Sequence, residues 1–316
     1  MISRRFLLAA SPWALTVTPR VARADGNFSH FLAQFRAKAI AAGIGRATLD
    51  RALAGVSPDP RVIALDRRQP EFTQTWAHYA ASRLSPARIA AGRAAMAQHR
   101  ALLRDVETAY GVPPSVIVAI WGLESNYGTY TGDFPTIPAL ATLAWEGRRA
   151  ALFTGELIAA LRIIEGGMAP SRLTGSYAGA MGQPQFMPSA YRRYGVDFNG
   201  DGVCDIWTDT ADVLASIARY LADHGWVHGA GWGQAVVLPP DLDAAHAGAR
   251  RFSEWQALGV APRGGDFADP DASARLTLPA AGEAFLVSSN FQVIKSYNAS
   301  DFYALVVGLL SEKVRG

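Results

Sequence analysis

One carboxylate, Glu124, lies in an otherwise apolar stretch, VIVAIWGLESNYG, at residues 116–128. Pro114 suits the first turn of a helix and Gly128 suits its end, so the pattern predicts a helix here. On that helix Trp121 precedes Glu124 by three residues and shares its face. An acid on an apolar face is desolvated, which raises its pKa toward the range in which a general acid works. Burial alone leaves two interpretations open, a catalytic acid or a structural glutamate paired with an arginine.

Aromatic and small polar side chains are concentrated around this stretch. The aromatic residues in or near the loops that follow Glu124 are Trp121, Tyr127, Tyr130, Trp145, Tyr177 and Tyr191. Aromatic rings suit the apolar faces of pyranose sugars, whereas amides and hydroxyls suit their edges. Ser176 and Gln185 lie in glycine-rich backbone, where a side chain has few packing partners. The combination favours a carbohydrate-binding cleft, although each aromatic residue taken singly is more typical of a hydrophobic core.

An acidic segment has the spacing of a calcium-binding loop. Positions 1, 3, 5, 7 and 9 of the loop are Asp197, Asn199, Asp201, Val203 and Asp205. Position 12 is Thr208 instead of the usual bidentate glutamate, and Asp209 or Asp212 could supply the missing carboxylate. The alternative is a metal-free acidic turn held by its own Asx hydrogen bonds.

Most of the chain that must position these residues shows helical periodicity. The segments predicted as helical, besides that of Glu124, are 28–55, 86–110, 138–146, 148–165, 210–224 and about 300–314. Residues 235–290 differ, with strand-like segments at 274–278 and 284–287. We therefore expect a mainly α protein. A helical domain at 25–234 would carry the acidic loop, a small mixed α/β subdomain would occupy 235–290, and residues 291–316 would pack back on the helical domain.

The first residues resemble an export signal. Arg4 and Arg5 precede a short apolar run, and Ala22-Arg23-Ala24 has the small-x-small pattern of a cleavage site. We expect a signal peptide at 1–24, cleavage near Ala24/Asp25, and a periplasmic protein without a transmembrane segment. The run is shorter than the roughly 20 residues that a membrane span needs. The paired arginines are compatible with either secretory or twin-arginine export.

Removal of the signal peptide changes the charge of the chain. Residues 1–24 contain four arginines and no acidic residue, which leaves 26 basic and 27 acidic side chains. A net charge of −1 gives no electrostatic case for nucleic-acid binding. Cys204 is the only cysteine, so no internal disulfide can form. Zinc-protease, serine-hydrolase and nucleotide-binding motifs are not found.

Four motifs carry a family resemblance. They are ESNYG at 124–128, ATLAWEGRR at 141–149, GSYAGAMGQPQFMPSAYRRYGVDFNGDG at 175–202, and SNFQVIKSYN at 289–298. In this order they resemble the B-type lytic murein transglycosylases. The resemblance implies a lysozyme-like fold that cleaves the β-1,4 bond between N-acetylmuramic acid and N-acetylglucosamine without water, leaving a 1,6-anhydromuramyl end.

The resemblance also implies roles for individual residues. Glu124 matches the catalytic acid of the family. The positions that resemble its substrate contacts are Ser176, Gln185, Tyr297, Asn298, Tyr79, Tyr220, Tyr303, Arg148 and Arg149. In the acidic loop the resemblance points to Asp212 as the further ligand, which lengthens the loop to 197–212 around a structural calcium ion that takes no part in chemistry.

A lytic transglycosylase needs only one acid, whereas most glycosidases need two carboxylates. If the 6-hydroxyl of the substrate attacks the anomeric carbon, one glutamate can first protonate the leaving oxygen and then remove the hydroxyl proton. We expect a monomer that acts in this way on peptidoglycan glycan strands, with no cofactor for chemistry. A hydrolytic muramidase and a non-catalytic peptidoglycan-binding protein are the alternatives.

Overall fold

The computed structural model describes residues 28–68, 74–242, 248–280 and 282–315. The helices are α1 Phe28–Ala41, α2 Arg46–Ala52, α3 Pro60–Arg67, α4 Trp76–Arg83, α5 Pro86–Gln98, α6 Arg100–Tyr110, α7 Pro114–Ser125, α8 Thr136–Glu146, α9 Ala150–Glu165, α10 Pro188–Tyr194, α11 Thr210–Asp223, α12 Phe252–Ala257, α13 Ser289–Tyr297 and α14 Asp301–Arg315. The strands are β1 Phe134–Pro135, β2 Thr174–Gly175, β3 Gly233–Val237, β4 Arg250–Arg251, β5 Ala261–Pro262, β6 Ser273–Ala280 and β7 Glu283–Val287. The prediction of a mainly α protein is confirmed.

Helix α7 lies at the centre of the helical body. Ile117, Val118 and Ile120 are 0 % exposed, and the helix packs against α5, α6, α11 and α14. A helix that is apolar on nearly every side is stable only inside a core. The surrounding helices therefore hold the C-terminal end of α7, and with it Glu124, in a fixed position.

The segment 86–110 was predicted as one helix, but the structure divides it at His99. This residue has φ −104° and ψ 22°, ends α5 and begins α6. Its ring lies edge-on to Trp121 of α7 at a centroid distance of 5.7 Å, and both α5 and α6 contact α7. The turn at His99 lets two helices pack on α7, and a change of direction at one residue leaves the apolar periodicity of the sequence unchanged.

An antiparallel sheet forms the second part of the structure, with the strand order β4-β6-β7-β3-β5. The strand-like segments predicted at 274–278 and 284–287 lie in β6 and β7, so both are confirmed. One side of the sheet has its own small core, which includes Phe252, Trp255 and Leu286. The Trp76 indole N–H donates to Glu283 Oε2 at 2.7 Å and connects the sheet to α4. The domain boundaries expected from the sequence, with a helical domain at 25–234 and a subdomain at 235–290, stay a prediction.

The two ends of the chain differ in what the structure describes. Helix α14 packs back against α4, α5, α7 and α13. The predicted signal peptide at 1–24 and its cleavage site lie outside the described residues. No single helix in the described part of the chain is long and apolar enough to cross a membrane. Only α6 and α7 taken together reach that length and apolarity, and they are bent by 109° to each other.

Candidate active site

The backbone at the end of α7 fixes the position of Glu124. Helix α7 ends at Ser125, and the next three residues all have positive φ, namely Asn126 at 49°, Tyr127 at 59° and Gly128 at 80°. The Gly128 N–H donates to Ser125 Oγ at 3.0 Å. Positive φ at asparagine and tyrosine costs conformational energy, and such strain persists only where the surroundings enforce it. The tight turn brings the helix to an abrupt end directly after Glu124.

Tyr303 of α14 holds the Glu124 carboxylate. Its hydroxyl donates to Glu124 Oε1 at 2.5 Å, and the tyrosine side chain is only 5 % exposed. Burial raises the pKa of Tyr303 well above its usual value, and the charge of Glu124 raises that pKa further. Tyr303 therefore stays a neutral donor throughout the working pH range and restricts the rotation of the carboxylate.

A cavity of about 460 Å³ opens at Glu124. It is lined by Tyr79, Arg83, Leu123, Glu124, Asn298, Ala299, Ser300, Phe302 and Tyr303. Four residues proposed from the sequence thus meet in one place although they come from three distant segments of the chain: Tyr79, Glu124, and the pair Asn298 and Tyr303. Arg83 was not proposed from the sequence. Its guanidinium lies 3.7 Å from the centroid of the Tyr79 ring, which places a cation on the wall of the cavity.

Tyr297 and Tyr220 do not line this cavity and pack together in an aromatic cluster. Their ring centroids are 4.7 Å apart, and the Tyr297 hydroxyl donates to the Pro184 carbonyl at 2.7 Å. Tyr220 donates to the Ser296 carbonyl at 2.5 Å. Burial raises the pKa of Tyr297, with a further contribution from the charge of Glu124. Both tyrosines join α11 and α13 to the glycine-rich loop at residues 175–189.

Ser176 and Gln185 brace this glycine-rich loop. Ser176 Oγ accepts a hydrogen bond from the Ala180 N–H at 3.1 Å. Gln185 has φ 53°, and its side-chain amide donates to the Gly182 carbonyl at 2.8 Å and to the Thr131 carbonyl at 3.0 Å. The second bond ties the glycine-rich loop to the loop that follows α7. Neither side chain lines the cavity at Glu124.

Arg148 and Arg149 meet at a different place. Both guanidinium groups pair with Asp66 of α3, and the Asp66 side chain is 3 % exposed. The Arg148 side chain also donates to the Asp66 carbonyl, and Arg149 lies over the ring of Phe153. Neither arginine lines the cavity at Glu124. The observed contacts anchor α3 to the segment between α8 and α9.

The sequence analysis missed Gln183, which is buried beneath the end of α7. Its Oε1 accepts the Trp121 indole N–H at 2.7 Å, and its Nε2 donates to the Trp207 carbonyl at 2.9 Å. A Cβ on Gly128 would come within 2.4 Å of this Oε1. Gln183 connects α7 to the acidic loop. The only signal in the sequence is its position in the same glycine-rich run as Gln185. That position does not show whether the side-chain amide lines a cleft or is buried between two elements.

The acidic loop is folded around its own carboxylates. Asp197 accepts backbone N–H groups of residues 200, 201 and 202, and Asp201 accepts that of Val203. Asp212 is 0 % exposed and accepts the N–H groups of Phe198 and Asp205 at 2.8 and 2.7 Å. Asp212 therefore anchors both ends of the loop from beneath.

The donor set of the loop fits calcium in its chemistry. The described residues contain no group of three or more His, Cys, Asp or Glu side chains placed to hold a metal ion. The predicted ligand positions of the loop offer the carboxylates of Asp197 and Asp201, the amide oxygen of Asn199 and the carbonyl oxygen of Val203. All are hard oxygen donors of the kind that calcium prefers, and carboxylate oxygens can accept more than one partner.

Comparison with known proteins places the chain in a family. A model described as the transglycosylase SLT domain matches residues 27–312. The chain is 36 % identical over 247 residues to membrane-bound lytic murein transglycosylase B of Escherichia coli K12, and the match covers 76 % of this chain and 67 % of that protein.

Solved structures show the same likeness in three dimensions. SltB3 from Pseudomonas aeruginosa, solved in complex with NAG-NAM-pentapeptide, gives a TM-score of 0.88 at 45 % identity, covering 92 % of this chain and 80 % of that chain. The lytic transglycosylase Slt35 of Escherichia coli, solved in complex with calcium, gives 0.76 at 33 % identity, covering 90 % and 92 %. The chain therefore belongs to the transglycosylase SLT domain family, among the lytic murein transglycosylases of lysozyme-like fold.

Proposed function

We propose that this chain cleaves the β-1,4 bond between N-acetylmuramic acid and N-acetylglucosamine in peptidoglycan, with Glu124 as acid and then base. The observation that carries the proposal is the Glu124 carboxylate, hydrogen-bonded to the buried Tyr303 hydroxyl at 2.5 Å on the wall of a 460 Å³ cavity. Glu124 is the only carboxylate among the described residues that line this cavity. A site with one carboxylate suits a reaction in which the substrate supplies its own nucleophile.

The reaction then proceeds in two steps. Glu124 donates its proton to the glycosidic oxygen, the bond from the muramic acid C1 to that oxygen breaks, and N-acetylglucosamine leaves with a free 4-hydroxyl. The Glu124 carboxylate next removes the proton of the muramic acid 6-hydroxyl, whose oxygen bonds to C1. The products are a 1,6-anhydro ring and the original protonated Glu124.

Other side chains position the reactants. Tyr303 can donate to one carboxylate oxygen of Glu124 while the other carries the proton. Asn298 lines the cavity, and its amide can orient the N-acetyl group next to the developing positive charge. Ser176, which the family resemblance also suggests for that contact, keeps its hydroxyl hydrogen free of the bond from Ala180 but does not line the cavity, so Asn298 is the better candidate.

Product masses test the proposed reaction. We expect purified peptidoglycan treated with the enzyme to release muropeptides about 18 Da lighter than the reducing forms, because no water is added. Reducing products would mean that water is the nucleophile and that the enzyme is a muramidase. A chain that binds peptidoglycan but releases nothing would be a binding protein.

The Tyr303→Phe variant should move the alkaline limb of the kcat/KM profile to higher pH, by about one unit. The Tyr303 hydroxyl donates to the carboxylate and favours its charged form, so its loss raises the apparent pKa of the catalytic acid. A general acid must be protonated before it reacts, and activity falls as the pH rises through that pKa. The measurement is kcat/KM on soluble glycan fragments across the pH range. An alkaline limb that stays in place would show that the hydrogen bond does not tune the acid.

We propose that the loop at 197–212 binds a structural calcium ion through Asp197, Asn199, Asp201 and the Val203 carbonyl, with Asp212 as a further candidate. The oxygen donor set described above and the calcium complex of the relative Slt35 support this. When bound, calcium would neutralise the clustered carboxylates and hold the loop, which Gln183 joins to α7.

Calcium is expected to raise the melting temperature by about 5 °C when the free ion is about 100 times its Kd. Magnesium, which prefers a rigid octahedral shell, should have a smaller effect. Asp197→Asn keeps an acceptor oxygen but loses the charge, so it should abolish the shift. Asp50→Asn changes a carboxylate outside the loop and serves as the control. If calcium still raises the melting temperature of the Asp197→Asn variant, the ion binds elsewhere on the protein.

We infer that the mature chain acts as a monomer in the periplasm on glycan strands. The export-type pattern of residues 1–24 supports the compartment, and a relative named as membrane-bound acts on murein. N-terminal sequencing of the exported protein tests the cleavage site, which is expected before Asp25.

A further inference from the structure

A second cavity, of about 330 Å³, lies where the small sheet meets the N-terminal end of α13. Phe252, Ala274 and Val287 provide apolar walls and are all buried. Asp269, Arg275 and Gln292 contribute exposed polar groups to its lining. None of the residues that line this cavity lines the one at Glu124. The molecule therefore has a separate concave site on the sheet side of α13.

The two charged residues of this cavity, Arg275 and Asp269, have side-chain atoms available to bind a ligand. Within the described ranges, Arg275 takes part in no ion pair or side-chain hydrogen bond. Asp269 accepts the backbone N–H groups of Asp271 and Ala272 through Oδ1, and Oδ2 has no such bond. A guanidinium and a carboxylate at an apolar cavity match a short peptide that carries both a carboxylate and an ammonium group.

Helix α13 connects this cavity to the one at Glu124. Gln292 lines the sheet-side cavity, and Asn298, which follows the last turn of α13, lines the catalytic one. These two residues are about 9 Å apart along the axis, at 1.5 Å per residue. Gln292 and Ser296 are both exposed, and their spacing of four residues places them on one face of α13. An extended peptide of five residues spans up to about 17 Å and can cover this distance.

We propose that the sheet-side cavity binds the stem peptide carried by the N-acetylmuramic acid of the substrate. The sugar occupies the cavity at Glu124, the peptide follows the exposed face of α13, and its carboxylate pairs with Arg275 while an ammonium group faces Asp269. This inference rests on the proposed function and adds a determinant of substrate choice to it. An enzyme in which the sheet-side cavity is intact therefore prefers glycan strands that carry stem peptides to strands that lack them.

Two substrates separate this binding from catalysis. One is glycan strands with intact stem peptides, and the other is the same strands after an amidase has removed the stems. Arg275→Gln removes a charge-assisted contact and should raise KM about tenfold on the stem-bearing strands, with kcat unchanged. On strands without stems, KM should stay at the wild-type value. Arg263→Gln is the matched control, because Arg263 is an exposed arginine directly after β5 that contacts Gly282 and does not line the cavity.

A second variant tests the cavity without removing a charge. Gln292→Trp places a bulky ring at an exposed position of the lining and should raise KM on stem-bearing strands as Arg275→Gln does, at an unchanged melting temperature. Equal KM values for wild type and both variants on stem-bearing strands would overturn the inference. The failure of the proposed function is distinguishable, because wild type would then yield no anhydro products from either substrate.

Direct binding gives an independent readout. Calorimetric titration of a free five-residue stem peptide, the length carried by the ligand in the SltB3 complex, into Glu124→Gln protein, which cannot turn over substrate, should show binding that Arg275→Gln weakens about tenfold. Binding that is unaffected by Arg275→Gln would place the peptide elsewhere on the protein and contradict the proposal.

Discussion

Replacing Glu124 with glutamine is expected to lower kcat on purified peptidoglycan by about 10³-fold or more. Glutamine has nearly the same shape, and its amide oxygen can still accept the Tyr303 hydroxyl. It has no proton to give to the glycosidic oxygen and cannot later remove one from the 6-hydroxyl. Both steps are therefore lost while the cavity is preserved. The release of anhydro-muropeptides, followed by mass spectrometry over time, measures the effect.

Glu107→Gln provides the control for this experiment. Glu107 lies on α6 and does not line the cavity at Glu124, so its variant should retain wild-type kcat. Both variants should keep the wild-type melting temperature within a degree or so, since neither change alters buried volume. A folded Glu124→Gln protein that kept a tenth of its activity would show that another group supplies the proton.

The sequence was sufficient to single out Glu124 as the candidate acid, but it did not show which residues contact that side chain. One carboxylate in an apolar helical pattern is a local signal, and helical geometry predicts the face on which it lies. Tyr303 is 179 residues away in the chain, and nothing in the spacing tells which of the ten tyrosines contacts the acid. Only the resemblance to a family pointed to it. Contacts between distant segments depend on how the helices pack, which periodicity does not encode.

Similar reasoning explains the outcome for the other polar residues. Gln183 and Gln185 lie two residues apart in one glycine-rich run. Gln183 bonds to the Trp121 indole and to the Trp207 carbonyl, which join α7 to the acidic loop, whereas Gln185 bonds to the Thr131 and Gly182 carbonyls. Which amide points inward is decided by the local backbone, in which Gln185 has φ 53°. The long helices α7, α8, α9, α11 and α14 and the strands β6 and β7 were predictable because burial repeats along them, whereas the short helices α3, α4 and α10 and the division of 28–55 into α1 and α2 were not predicted. The break at His99 was not, because it changes direction without changing the periodicity.

The largest expected effect on stability comes from Gly132→Ala. Gly132 has φ 84°, and a Cβ there would lie 2.2 Å from the Gly175 carbonyl oxygen and 2.7 Å from the Ser176 nitrogen. Both are backbone atoms, so neither can rotate away as a side chain could. The substitution should cost about 3 kcal/mol or more in the free energy of unfolding and lower the melting temperature by about 10 °C.

Gly43→Ala separates the steric clash from the backbone strain. Gly43 has a nearly identical φ of 88°, but nothing lies within 4 Å of an added Cβ. Its variant should lose only about 1 kcal/mol, the cost of a left-handed conformation for an alanine. Thermal and urea denaturation of the two variants measure the difference. Equal losses would mean that the loop at Gly132 moves freely enough to accommodate a methyl group.

Close contact at Gly132 also links stability to activity. The neighbouring Thr131 carbonyl accepts the Gln185 amide, and Phe134 pairs with Gly175 across β1 and β2. A shift at Gly132 would move the glycine-rich loop relative to the end of α7, where Glu124 lies. Gly132→Ala should therefore lower kcat even at temperatures at which the protein is folded, whereas Gly43→Ala, in the loop between α1 and α2, should not. The two glycines differ in what surrounds them and not in their φ, so this pair of variants tests whether the close approach of two loops is what keeps the acid in position.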